Sequence, residues 1–179
     1  MFILCLVSVM TFAQEILPKT RSRGNEFALG YCLNQFGKDF GIGVSLTSPY
    51  INKSLAIRAS ENYQWLEYFD GTATIWKGYH NVKLGVVSVG VTFMDQIRLY
   101  GEGGMSMLIL SSDLSKRSNS FGGYGNFGFE FFMDKIEHAG MSYYIELGGI
   151  GTGTTADKLV TRPMLSNGFS ITTGFRVYL

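Results

Sequence analysis

Twelve residues at the C-terminal end, GFSITTGFRVYL, alternate without a fault. Phe169, Ile171, Thr173, Phe175, Val177 and Leu179 fall on one side, and Gly168, Ser170, Thr172, Gly174, Arg176 and Tyr178 on the other. A period of two marks a β-strand whose faces meet different surroundings. The same period recurs along the chain. Phe27 to Asn34, Phe40 to Thr47 and Ser54 to Phe69 alternate, and further segments run near 74–94, 96–110, 120–133 and 141–152. With the last segment that makes eight strands, and no segment carries a helical period.

The composition of the two faces decides the architecture. A soluble sandwich or lipocalin turns its apolar face inward and covers the other with Lys and Glu. Here only 16% of residues are charged while Gly reaches 23. The second face is Gly, Ser, Thr, Ala and Asn, with scattered charges at Arg58, Lys83, Arg98, Glu102, Glu130, Glu146 and Arg176. Small residues with nearly balanced charges suit the narrow interior of an eight-stranded barrel, where side chains fill the lumen. The apolar face, with Phe127, Phe129, Phe131 and Met133 in one row, then meets lipid. Closing the barrel removes every strand edge, as an apolar medium requires. The expectation is an all-β, eight-stranded antiparallel transmembrane barrel over residues 26–179.

Connection lengths agree. With both termini periplasmic, the inner connections are short (SPYINK, MDQ, DKIEHAG). Three of the four outer ones are long or extended: the region from Glu61 to Gly78, SSDLSKRSNS, and TTADKLVTRPMLSN. Short inner turns and long outer loops are the habit of outer-membrane barrels.

The N-terminal stretch MFILCLVSVMTFAQ reads as a signal peptide, residues 1–13, with Thr11 and Ala13 at positions −3 and −1 of a cut before Gln14. Residues 14–25 would follow as a short periplasmic segment. Cys5 lacks the small residue that a lipoprotein site needs before it. Removing the signal leaves Cys32 alone, so neither an internal disulfide nor a Cys/His metal cluster is expected. A net charge of +1 offers no basic surface to nucleic acid.

Two resemblances sharpen this reading. Thr172, Gly174, Val177 and Leu179 resemble the C-terminal signal by which the barrel-assembly machinery recognises its clients, with Leu179 where many such barrels carry Phe. A carboxylate at Gly174 or Leu179 should therefore block assembly. The mature chain resembles the small outer-membrane β-barrel family common in Bacteroidota, often labelled porin-family or outer-membrane β-barrel domain proteins. NVKLGVVSVGVTFMDQIRLYGEGGMSML carries that likeness best, and the cut before Gln14 is similar to signal peptides of the group. The resemblance implies a fold and a location in the outer membrane, not an activity.

Three function classes are open to such a barrel. An enzyme needs a nucleophile or base with an orienting partner. The two histidines, His80 and His138, fall in an aromatic belt and a turn, and no His-x-Ser pairing of lipid A deacylase barrels occurs. GYGNFG and GIGTGT lie inside strands, without the helix a phosphate loop requires. No cofactor is expected. A channel is limited by the lumen, since eight strands leave room only for side chains. The third class is a structural protein, a scaffold or an accessory subunit of a larger envelope complex, with outer-membrane lipid around it. One stretch favours it. The alternation through Phe69 and from Thr74 outruns the 9 to 11 residues of a membrane strand, and Asp70-Gly71 signals a hairpin between. That hairpin would stand above the membrane bearing Tyr63, Trp65, Tyr68, Phe69, Trp76 and Tyr79, as an aromatic girdle or a partner-contact surface. A slip of the alternation near Val86-Val87 suggests a β-bulge.

Overall fold

The computed structural model describes residues 26–52, 54–133 and 140–179. The signal peptide, the 14–25 segment, Cys5 and His138 lie outside the described residues. The eight strands are β1 (Ala28–Phe36), β2 (Asp39–Thr47), β3 (Leu55–Phe69), β4 (Thr74–Phe93), β5 (Ile97–Ile109), β6 (Asn119–Phe132), β7 (Met141–Gly151) and β8 (Gly168–Tyr178). Each pairs antiparallel with its sequence neighbours, and β8 returns to β1 through Ala28↔Tyr178 to Phe36↔Ser170, closing the barrel.

The register fixes the shape. A row of paired residues starting at Val82 passes through Glu61, Val44, Tyr31, Phe175, Tyr143, Phe131 and Ile97 and re-enters β4 at Phe93. That is 11 residues further on, one of them the extra residue of a register shift between Val89 and Thr92, so the effective stagger is 10. With about 3.3 Å per residue and 4.8 Å between strands, ten residues over eight strands give a tilt of about 40°. A barrel so built is narrow, and its interior belongs to side chains.

The faces sort as an inside-out protein. Leu29, Val44, Leu46, Ile57, Leu84, Val86, Phe127, Phe175 and Val177 are exposed on the outer wall. Arg98, Glu130, Arg176, Asn62, Gln64 and Asn81 are almost fully buried on the inner one. Water could not tolerate that wall as a surface, whereas a bilayer demands it.

The connections at the end bearing the termini are short, with a two-residue turn at Met94-Asp95 closed by a bond from the Gln96 amide to the Phe93 carbonyl at 3.1 Å. Both turn residues hold positive φ (51° and 55°), a conformation that side-chain-bearing residues adopt at a cost. At the opposite, outer end, residues 110–118 and 152–167 fold back over the mouth.

One sequence expectation is corrected. No bulge occurs at Val86-Val87, where β4 pairs with β5 in unbroken register; the irregularity lies between Val89 and Thr92. The pleat never slips there. Val87 and Val89 point inward and pack with Ala56 and Tyr100, so apolar residues occupy the lumen side locally and imitate a slip.

Candidate functional site

The lumen is built from the inward-facing residues of all eight strands, and it is filled in layers. Nearest the termini, Glu130 gathers two arginines. Arg176 Nη1 lies 3.0 Å from Glu130 Oε1 and Arg98 Nη1 lies 3.5 Å from Oε2. Tyr178 and Ser142 donate hydroxyls to the same Oε1 at 2.5 and 2.6 Å. Tyr50, from the turn between β2 and β3, accepts from Arg98 at 2.9 Å, and Phe132 lies under the Arg98 guanidinium at 4.7 Å.

The middle layer centres on Arg58. Its Nη1 reaches Glu102 Oε2 and, at 2.8 Å, Glu146 Oε1. Tyr100 donates to Glu146 at 2.6 Å and Tyr124 to Glu102 at 2.7 Å. Arg176 joins the layers, 3.4 Å from Glu146 and stacked 4.1 Å from the Tyr144 ring. Space for these rings comes from facing glycines: a Cβ at Gly128 would run into the Tyr100 ring. Lys83 sits over the rings of Phe36 and Tyr124, at 5.1 and 5.3 Å. All seven charged residues singled out in the sequence therefore lie in one lumen, buried to at least 93%.

Above them is a neutral layer. Asn34 donates to Asn62 at 2.6 Å, Gln64 donates to Asn34, and Ser106 donates to Asn81 at 2.7 Å. At the outer rim Tyr79 donates to Asp39, which also accepts the Ser166 amide at 3.0 Å, tying the last outer connection to the barrel wall. Sequence reasoning missed Asp39 and this amide layer. Asn62 and Gln64 share the alternation face of Arg58, which was the available signal.

The outer mouth is sealed by an apolar cluster: Leu66, Tyr68, Tyr79, Leu108, Leu110, Leu114, Ala156, Leu159 and Leu165. Residues 110–118 and 152–167 are stitched together above it, the Lys158 backbone amide donating to the Leu114 carbonyl at 3.2 Å and the Lys116 backbone amide to the Asp157 carboxylate at 2.9 Å. The Ser115 hydroxyl and the Lys116 amide hold the exposed Asp157 carboxyl below its ordinary value.

This cluster corrects the contact-hairpin expectation for two residues. Tyr68 and Tyr79 are 7% and 1% exposed, because strands that outrun the membrane still have an inner face, and the lid needs it. Phe69 and Trp76 are exposed outside, at 60% and 54%. Tyr63 and Trp65 are half-buried in the outer wall, edge-to-face at 4.9 Å, with Trp65 stacked on Phe40 and Tyr63 against His80. His80 Nδ1 meets Glu61 at 2.7 Å on the same wall. Asp70 closes the hairpin tip: amides of Ala73 and Thr72 and the Thr72 hydroxyl point at its carboxylate and pull its pKa down to about 2.

Of the assembly pattern, Thr172 and Gly174 face the lumen while Val177 and Leu179 face outward. Gly174 lies against the backbone of Tyr31 and Cys32, so a carboxylate there would collide with the first strand rather than meet lipid. Among the described residues no three His, Cys, Asp or Glu side chains gather to hold a metal, and Cys32 is buried and free.

No family model and no curated protein matches the chain. Solved structures do. The N-terminal β-barrel domain of Pseudomonas aeruginosa OprF superposes with a TM-score of 0.61 at 11% identity, covering 87% of this chain and 98% of that one. The outer membrane protein OprG of Pseudomonas aeruginosa superposes with a TM-score of 0.50 at 12% identity, covering 88% and 97%. By fold the protein is an outer-membrane β-barrel.

Proposed function

We propose that the protein is a non-enzymatic structural barrel of the outer membrane, a scaffold or accessory subunit of an envelope complex. One observation carries this reading: the lumen is closed at the inner end by Arg98, Glu130 and Tyr178, in the middle by Arg58, Glu102 and Glu146, and at the outer mouth by apolar loops. Each paired charge is held by partners whose loss would strand another in a buried interior. Such a lumen favours rigidity over passage. The surface then left for biology is the outer one, where Phe69 and Trp76 stand exposed on a hairpin longer than the membrane requires. Large aromatics of this kind are typical anchors of protein contacts.

Planar-bilayer recording of the purified protein tests the reading. No steady ion-selective opening is expected. Large, sustained conductance would replace it with a narrow channel. Exchange of Phe69 and Trp76 for Ser should release a partner recovered in stoichiometric amount from detergent-solubilised membranes, with folded barrel undiminished.

A further inference from the structure

The charges of the inner and middle layers do not balance. Arg58, Lys83, Arg98 and Arg176 face Glu102, Glu130 and Glu146. Each arginine has a carboxylate within 4 Å. Lys83 has none among the described residues; its ammonium rests only on the faces of two rings. The further buried carboxylate, Asp39, is engaged by Tyr79 at the outer rim. Lys83 lies four residues along β4 from Tyr79, about 13 Å of strand. A buried cation with no carboxylate in contact is costly, and cation–π contacts and the more distant attraction of Glu102 and Glu146 offset only part of that.

Beside Lys83 is a cavity of about 20 Å³, enough for one water-sized body. Ser45, Ser60 and Thr172 also line it, and the buried Ser45 hydroxyl has no hydrogen-bond partner. Arg58, Glu102 and Glu146 line the same cavity, and both carboxylates are engaged: Glu102 by Arg58 and Tyr124, Glu146 through Oε1 by Arg58 and Tyr100. An ammonium in contact with no carboxylate, an orphaned hydroxyl donor and a space of this size meet at one place.

We propose that this cavity binds a single small monovalent anion of the halide class, held by the Lys83 ammonium and the Ser45 hydroxyl. Phosphate and carboxylates are too large for it. The site is internal, and it stands whether the barrel serves as scaffold or channel.

Bromide is the probe. Crystals of the whole protein grown in bromide should show one anomalous peak within hydrogen-bond distance of Lys83 Nζ and Ser45 Oγ. In detergent at constant ionic strength, the unfolding temperature should be higher in bromide than in gluconate. That increment should vanish in Lys83→Met, shrink in Ser45→Ala and persist in Lys77→Met, whose lysine pairs with Asp113 of the outer loop, away from the cavity. Should Lys83→Met fail to fold, Ser45→Ala and the anomalous map still decide. An increment equal in wild type and Ser45→Ala, or density at the site without anomalous signal, would overturn the proposal in favour of a bridging water.

Discussion

The two ends of this barrel are closed by opposite chemistry. The inner end is shut by two arginines on one carboxylate, with tyrosine hydroxyls completing the set. The outer end is shut by leucines from two loops packed on the upper inner faces of β3, β4 and β5. The difference follows from where water is. Loops above the bilayer can leave water by burying apolar side chains, so the hydrophobic effect holds the lid. Strands crossing the bilayer already have an apolar exterior, and lipid gives nothing for hiding another leucine. Their interior is held by complementary charges, which resist separation more than they add net stability.

The largest effect should come from the inner end. Glu130→Gln leaves Arg98 without a carboxylate within 4 Å and should destabilise the barrel by about 3–5 kcal/mol, read as a lower urea midpoint in micelles. Adding Arg98→Met should recover much of that loss, because the stranded cation goes with it. Glu146→Gln combined with Arg176→Met should recover less than the Glu130 pair, since Arg58 stays behind and Glu130 loses its closest cation. Equal recovery by both pairs would mean that the layers act as one undivided network.

The outer end should fail differently. Leu114→Ala removes a fully buried side chain from the lid, a change worth about 2–5 kcal/mol in a packed core. The loss should be confined to the lid. Hydrogen exchange should quicken in residues 110–118 and 152–167, while the gel mobility of the unheated barrel stays unchanged. Global unfolding instead would show that lid and barrel are one cooperative unit.

Smaller effects probe the turns at each end. Asp95→Gly relieves a left-handed residue in the inner turn and should stabilise by about 1 kcal/mol. At the outer hairpin, Asp70 has a folded pKa depressed to about 2. Its stabilising contribution is therefore complete above the ordinary carboxylate value near 4 and is lost as pH falls from there through 2. Amide protection at Thr72 and Ala73 should fall over that window, and Asp70→Asn should flatten the dependence.

The comparison also separates what could be read early from what could not. Inner-end charges such as Arg98 and Arg176 were legible because the pleat turns every second residue inward wherever a strand runs, so position in the alternation is position in space. Tyr68 and Tyr79 share the alternation of Gln64 and Lys83, which places them on the inner face, but above the membrane that face has no fixed fate until a lid covers it. Leu114 and Leu159 sit in loops without period, and nothing local announces that two segments about forty residues apart will pack together. Val87 misled for a related reason, since an apolar residue inside a lumen cannot be told from one outside by polarity alone.

By itself, then, the alternation of this chain determined eight strands, their two faces and a closed barrel with an apolar exterior, because a period of two leaves one geometry per residue. Tertiary structure alone decided which charge meets which, where the one extra residue of β4 falls, and that the mouth is roofed. Those depend on the stagger of strands around the cylinder and on contacts between distant loops, and no neighbour in the chain encodes either.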